Sequence, residues 1–269
     1  MIIAISIAAI LFYLLAALIL YRSLFQRQAE EAGPRKSRFL VPGVIAVALH
    51  GIVLYQNVFT TVGLNLGFYN ALSLMSWVVA LIVILAAFAR PLENLAVVIF
   101  PLTAIALALE IMFQSTRILP DTAPAGLLVH VLLSICAYSL LTIAALQAAL
   151  LALQDRQISH KRPSIIMQLP PLQIMEDLMI QIIAIGFFLL SLSLVTGLMF
   201  LQDIFSQHLA HKAAFSTLAW VIFGILLWGR WSRGWRGRTA ILWTIGGFIS
   251  LLLAYFGSKL VLELILHRV

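Results

Sequence analysis

Apolar residues run almost unbroken through eight stretches, at roughly 2–21, 39–58, 68–89, 95–113, 125–153, 178–201, 214–229 and 239–266. Each is near or above the roughly 20 residues that carry an α-helix across the hydrocarbon core of a bilayer. The runs are too long for the strands of a membrane barrel. The pattern predicts an all-α, polytopic membrane protein with eight transmembrane helices, the seventh being the shortest. Met1 to Tyr21 has no basic leader and no small-residue cleavage site before Arg22, so it reads as a retained first span rather than a signal peptide.

The polar positions fall in the breaks. The 22–38 segment holds Gly33-Pro34 and reads as a flexible connection. The 155–177 segment is longer and holds Pro163, Pro170 and Pro171. Proline lacks an amide proton and clashes with the preceding turn, so the sixth helix is expected to start after Pro171. With no low-complexity tract and no soluble segment, residues 1–269 read as one membrane domain, helices one to four in 1–124 and five to eight in 125–269.

Composition agrees. The chain is 63% hydrophobic and 10% charged, with mean hydropathy +1.08. Soluble domains are about half apolar and about a quarter charged. The formal net charge of +7 reflects topology rather than nucleic-acid binding, because of where the cations sit. Arg22, Arg27, Arg35, Lys36, Arg38, Arg90, Arg156, Lys161, Arg162, Arg230, Arg233, Arg236 and Arg238 share one side of an eight-span chain. Only Arg117, Lys212, Lys259 and Arg268 fall on the other, thirteen against four of the seventeen. Basic loops are retained in the cytoplasm, so both termini are expected outside it.

Few polar groups remain at membrane depth. His130 lies within the fifth span, His50 within the second and Glu110 near the end of the fourth. Lys259, Glu263 and His267 are in the last turns of the eighth. On this topology all six lie in the outer half, and the inner half is almost purely apolar. A transport pathway would need polar groups through both halves, so a site open to one face is the better reading. An intramembrane imidazole is costly and needs a proton, a hydrogen bond, a metal or a haem iron as partner. Each histidine also has a structural reading: His50 sits beside Gly51 at a close helix contact, and His267 is near the chain end. His208 and His211 have a helical i, i+3 spacing, without a carboxylate motif to make a metal site, and read as solvated. Arg117 is the expected partner of Glu110, and Lys259 of Glu263. Trp228, Trp231, Trp235 and Trp243 read as an interfacial belt.

The single cysteine, Cys136, excludes an intrachain disulfide, and no CxxCH haem-attachment site is present. Cys136 is expected to be buried and inert. No paired carboxylates, activated nucleophile or phosphate loop suggests catalysis, and the chain does not read as an enzyme.

The segment Leu127-Leu-Val-His-Val-Leu-Leu-Ser-Ile-Cys-Ala-Tyr138 resembles the histidine-bearing helix of the cytochrome c assembly family, the CcsA/ResC, CcmC and CcmF group of haem-handling membrane proteins. Leu169-Pro-Pro-Leu-Gln-Ile-Met-Glu-Asp-Leu-Met179, Gly234-Trp-Arg-Gly-Arg238 and Ala254-Tyr-Phe-Gly-Ser258 are similar to the later helices of that family. The order matches from about residue 125 to the end. The smaller branch called YpjD or HemX-like, with eight spans and no appended domain, is the nearest in kind.

The resemblance implies non-covalent haem as cofactor, His130 and His267 as iron ligands near the outer face, and His50 as a further intramembrane ligand. Two imidazoles facing across an iron suffice for such coordination. It also implies a tryptophan-rich WWD loop between helices six and seven. Here residues 202–220 keep Lys212 and Trp220 but lack the Trp-x-Trp-Asp core. Two functions are therefore expected as alternatives. One is a haem-binding or haem-handling protein of cytochrome c biogenesis, with haem, the bilayer and other membrane proteins as partners. The other is a haem-free member that assists transport or envelope ion homeostasis.

Overall fold

The computed structural model describes residues 1–25, 35–61, 63–89, 93–113, 117–120, 122–159, 170–200 and 207–257. Eight α-helices carry the chain: α1 (Ile2–Phe25), α2 (Arg35–Val58), α3 (Phe68–Ala89), α4 (Ala96–Met112), α5 (Ala125–Ser159), α6 (Leu172–Phe200), α7 (Gln207–Arg233) and α8 (Arg238–Leu252). All eight are long and apolar enough to cross a membrane once their flanking turns are included. Many large apolar side chains, among them Leu11, Leu85, Ile105 and Leu198, point away from the protein. In a bilayer these are lipid-facing surface.

Helix limits differ from the apolar runs in an informative way. α5 continues to Ser159 and α6 begins at Leu172, so the polar loop is shorter than the expected 155–177. Helices do not stop where hydrophobicity stops; their polar ends extend beyond the hydrocarbon as regular helix. Pro170-Pro171 does mark the start of α6: the Pro171 carbonyl accepts the amide protons of Ile174 and Met175 at 3.0 and 3.2 Å. α8 gives way at Leu253–Gly257 to a π-helical turn. The expected remainder of that helix, including Lys259, Glu263 and His267, lies outside the described residues.

The helices group into two compact units, parting between residues 121 and 122. In the first, α1 packs on α2 and α4, and α3 packs on α4 and α2. Its core includes fully buried Tyr13, Phe100 and Leu107. In the second, α5 pairs with α6 along most of its length, α8 packs on α5 and α7, and α7 touches α6. Gly186 of α6 lies at a tight contact of that pair. A Cβ there would meet Leu141 Cδ2 at 2.9 Å.

The apolar pattern did not foresee a small sheet at one end of the first unit. Strands β1 (Phe59–Thr60), β2 (Gly63–Asn65) and β3 (Ile118–Pro120) pair antiparallel in that order. Leu64 sits between Phe59 and Leu119 in register. Gly63 makes the turn possible: its φ is +138°, and a Cβ would collide with the Leu119 carbonyl oxygen.

Candidate functional site

His130 lies five residues past the start of α5 at Ala125, about 8 Å along the helix at 1.5 Å per residue. Its Nδ1 is 2.8 Å from the Ser193 carbonyl oxygen on α6. A carbonyl has no proton to give, so Nδ1–H is the donor and, in the neutral ring, Nε2 carries the lone pair. No hydrogen bond to Nε2 is made among the described residues. The Ser193 carbonyl also accepts the Thr196 hydroxyl at 3.0 Å. One turn along α5, the Ser134 hydroxyl lies 2.7 Å from the His130 carbonyl oxygen and 2.7 Å from Ser193 Oγ. These bonds clasp α5 to α6 and hold the imidazole in one tautomer and one orientation.

His130 lines a cleft of about 390 Å³ whose other walls come from α6 and α7, with Leu194, Val195, Leu198, Lys212 and Trp220 among them. Val195 and Leu198 are 53% and 70% exposed, so the cleft opens on a lipid-facing surface. Trp220 is fixed from two directions. Its Nε1–H donates to Ser191 Oγ at 2.8 Å, and its ring stacks on Phe187 with centroids 5.6 Å apart. The Lys212 ammonium lies 6.0 Å above the Tyr255 ring centroid, a cation–π arrangement. Tyr255 in turn meets the Tyr138 ring edge-on at 5.8 Å. The cleft lining therefore brings together a histidine, a lysine, a tryptophan and apolar side chains. That donor set fits a planar, largely apolar metal chelate with acidic substituents, which is the chemistry of haem.

His50, in the first unit, is placed quite differently. It is fully buried and both ring nitrogens are occupied. Nδ1 shares a hydrogen bond with the Tyr13 hydroxyl at 3.3 Å, and Nε2 one with Ser73 Oγ at 2.9 Å. As placed, neither nitrogen is available to a metal. Gly51 lies against Trp77, whose Nε1–H donates to the Val47 carbonyl at 2.8 Å. Elsewhere in the same unit, Glu110 Oε1 on α4 accepts a hydrogen bond from Asn57 Nδ2 on α2 at 2.8 Å. A polar chain thus runs Tyr13–His50–Ser73 through α1, α2 and α3, and a separate hydrogen bond joins Asn57 of α2 to Glu110 of α4. The hydrogen-bond partner of Glu110 is Asn57, where the sequence suggested Arg117.

Two other expectations change. Cys136, on α5, is exposed, not buried. The expected apolar inner half contains buried Gln147 and Gln154. They donate to the carbonyls of Met175 and Pro170, at 3.3 Å each, so the asymmetry of polar groups is weaker than the histidines and acids alone suggest. At the same end of the second unit, Arg230 bridges Glu176 and Asp177 at 2.7 Å each, and Glu176 accepts the Gly237 amide proton at 2.9 Å. This ion cluster ties the α7–α8 turn to the start of α6. Beside that turn, Trp228 packs edge-on against Trp231 and Trp235 tilts over Trp243, as in an interfacial belt.

His267 and His160 lie outside the described residues, as do the side chains of His208 and His211 and residues 201–206 of the loop in place of the WWD motif. Among the described residues no cluster of three or more metal-ligating side chains occurs. Sequence reasoning missed Tyr13, Ser73 and the Ser193 carbonyl. Tyr13, polar within an apolar first span, carried a visible signal. A backbone carbonyl carries none.

The sequence model of the family described as "Cytochrome C assembly protein" matches residues 38–266. The chain is 34% identical over 238 residues to "Inner membrane protein YpjD" of Escherichia coli (strain K12), covering 88% of this chain and 90% of that protein. It is 31% identical over 140 residues to an uncharacterized 28.8 kDa protein of Azospirillum brasilense, about half of each chain. To "Cytochrome c biogenesis protein CcsA" of Prochlorococcus marinus (strain MIT 9303) it is 22% identical over 226 residues, 71% of each. No solved structure matches. With a family match across most of its length and eight membrane-crossing helices, this multi-pass membrane protein belongs to the cytochrome c assembly protein family.

Proposed function

We propose that the protein binds haem non-covalently in the plasma membrane, the inner membrane of a two-membrane envelope, with His130 Nε2 as an iron ligand. Its role is to hold or pass on haem, in association with other membrane proteins, rather than to catalyse a reaction. The termini face away from the cytoplasm, as the distribution of basic residues suggests. The observation that carries the reading is the Nδ1–H bond from His130 to the Ser193 carbonyl. Metal-ligating histidines characteristically donate their other ring proton to such an acceptor, which sets the tautomer and aims the lone pair.

Haem would bring an iron with open axial positions and a porphyrin edge bearing carboxylates. Lys212 supplies a cation on the same cleft for a carboxylate, and Trp220 supplies a flat, rigidly held wall. The lipid-facing mouth suits an amphiphile that arrives from the bilayer. His267 is the expected second ligand by resemblance. His50 serves as a structural member of the first unit's polar chain.

The test is the absorbance spectrum of the purified protein with and without added haemin. A Soret band that disappears in His130→Ala and persists in His50→Ala is expected. A band that survives both His130→Ala and His267→Ala would overturn ligation by this pair. A second reading, a haem-free family member that assists transport or ion homeostasis, is favoured by the missing Trp-x-Trp-Asp core in residues 202–220. Failure of the wild-type protein to retain haem under any condition would establish that reading in place of the first.

A further inference from the structure

The turn between α7 and α8 is tightly held, and it carries charge that the protein does not neutralise. Gly234 and Gly237 both adopt left-handed backbone, with φ of +64° and +56°. Between them Trp235 folds back on the last turns of α7. Its amide donates to the Gly229 carbonyl at 3.2 Å, its carbonyl accepts from Arg230 Nη1 at 3.0 Å, and a Cβ on Gly229 would collide with its ring. The acids packed against the turn are already partnered: Arg230 holds Glu176 and Asp177, and Arg238 Nε lies 3.5 Å from Asp155 Oδ2. Arg233 and Arg236 are exposed, and their side chains make no ion pair or hydrogen bond among the described residues. Just before them on α7, Trp228 and Trp231 are 64% and 85% exposed, with their rings edge to face at 6.1 Å.

Loop topology accounts for basic residues here, and an aromatic belt for the indoles. Neither calls for a turn pinned by its own hydrogen bonds with two arginines, three residues apart, left without counter-charge. A fixed turn sets the separation of the two arginines in advance, so less freedom is lost when they bind together. A guanidinium meets a phosphodiester through two parallel N–H groups. A zwitterionic headgroup would bring a second cation into this surplus of positive charge, whereas a glycerol headgroup brings none. We propose that the α7–α8 turn binds an anionic phospholipid of the phosphatidylglycerol type, with Arg233 and Arg236 on its phosphodiester and Trp228 and Trp231 against its glycerol backbone and acyl chains. The turn ends two membrane-crossing helices, so a lipid in the bilayer meets arginines and indoles at its own depth. This site is separate from the His130 cleft and does not depend on haem.

Native mass spectrometry of the full-length protein in detergent tests this, with phosphatidylglycerol and phosphatidylethanolamine of identical acyl chains at equal concentration. An arginine beside an anionic headgroup is worth about fivefold in affinity, so wild type is expected to retain phosphatidylglycerol by about tenfold or more. Arg233→Gln combined with Arg236→Gln should bring the two lipids to within about twofold of each other. Both side chains are exposed and unpaired, so the double variant should unfold at the wild-type Tm. Arg22→Gln removes an exposed arginine from the last turn of α1 and should leave the preference unchanged, which separates this site from general attraction to positive charge. Glycerophosphoglycerol, the headgroup without acyl chains, should not displace the retained lipid at the same concentration. No preference in wild type, an undiminished preference in the double variant, an equal fall in Arg22→Gln, or displacement by the soluble headgroup would overturn the proposal.

Discussion

The Nδ1 proton of His130 is given to the Ser193 carbonyl across 2.8 Å, and this one bond determines which nitrogen of the ring can act on a ligand. The acceptor is main chain, held in α6 and shared with the Thr196 hydroxyl. It cannot rotate away as a side chain would. The imidazole is therefore pre-set before any ligand arrives, and the cost of orienting it was met during folding.

Haem retention should follow the cleft rather than the histidine count. His130→Ala is expected to lose the Soret band, and Lys212→Met to weaken haem affinity by about tenfold, the scale of one lost charged hydrogen bond. His50→Ala should leave the spectrum per folded molecule unchanged. Haem titration of each variant checks all three.

His50 should instead matter for stability. His50→Leu leaves the Tyr13 hydroxyl and Ser73 Oγ without their imidazole partner in a buried site, at about 1–3 kcal/mol for each unsatisfied group. Tyr13→Phe removes a single hydroxyl and should cost less, about 0.5–1.5 kcal/mol. Thermal unfolding in detergent reads the order, and equal losses in the two variants would refute the account of His50 as the centre of the chain.

Gly63→Ala should destabilise the first unit by about 1–3 kcal/mol, the cost of a non-glycine residue held in a sparsely populated backbone region. The added methyl would also press on the Leu119 carbonyl oxygen. A lowered Tm with no change at the His130 cleft is expected. An unchanged Tm would mean that β2 and β3 do not pair as described.

Arg230→Ala should loosen the turn between α7 and α8, because Glu176 and Asp177 lose a shared partner at once. Lysine offers a single point of charge in place of a planar fork, so Arg230→Lys should restore only part of the effect. Tryptic cleavage at Arg233 and Arg236, timed against wild type, measures it.

Much of this protein is legible as sequence. Eight apolar runs become eight helices, since a backbone in hydrocarbon must satisfy its own hydrogen bonds and a helix does so locally. Pro170-Pro171 marks the start of α6 for an equally local reason. His130 stands out because an imidazole in an apolar run needs a partner.

The identity of the partners is another matter. His50 and His130 look alike as letters, each a histidine in a membrane span. Packing makes them opposites: Tyr13 and Ser73 close both nitrogens of His50, whereas Ser193 engages Nδ1 of His130, whose Nε2 has no hydrogen-bond partner among the described residues. Nearness in the chain pairs Glu110 with Arg117, yet its carboxylate finds Asn57, 53 residues away. Cys136 reads as an interior residue, yet its helix face turns outward. Hydrophobic length and helix-breaking residues act within a few residues, so sequence alone determined the spans. A buried polar atom is satisfied by whatever lies beside it in space, and only the packing of one helix on another decided that.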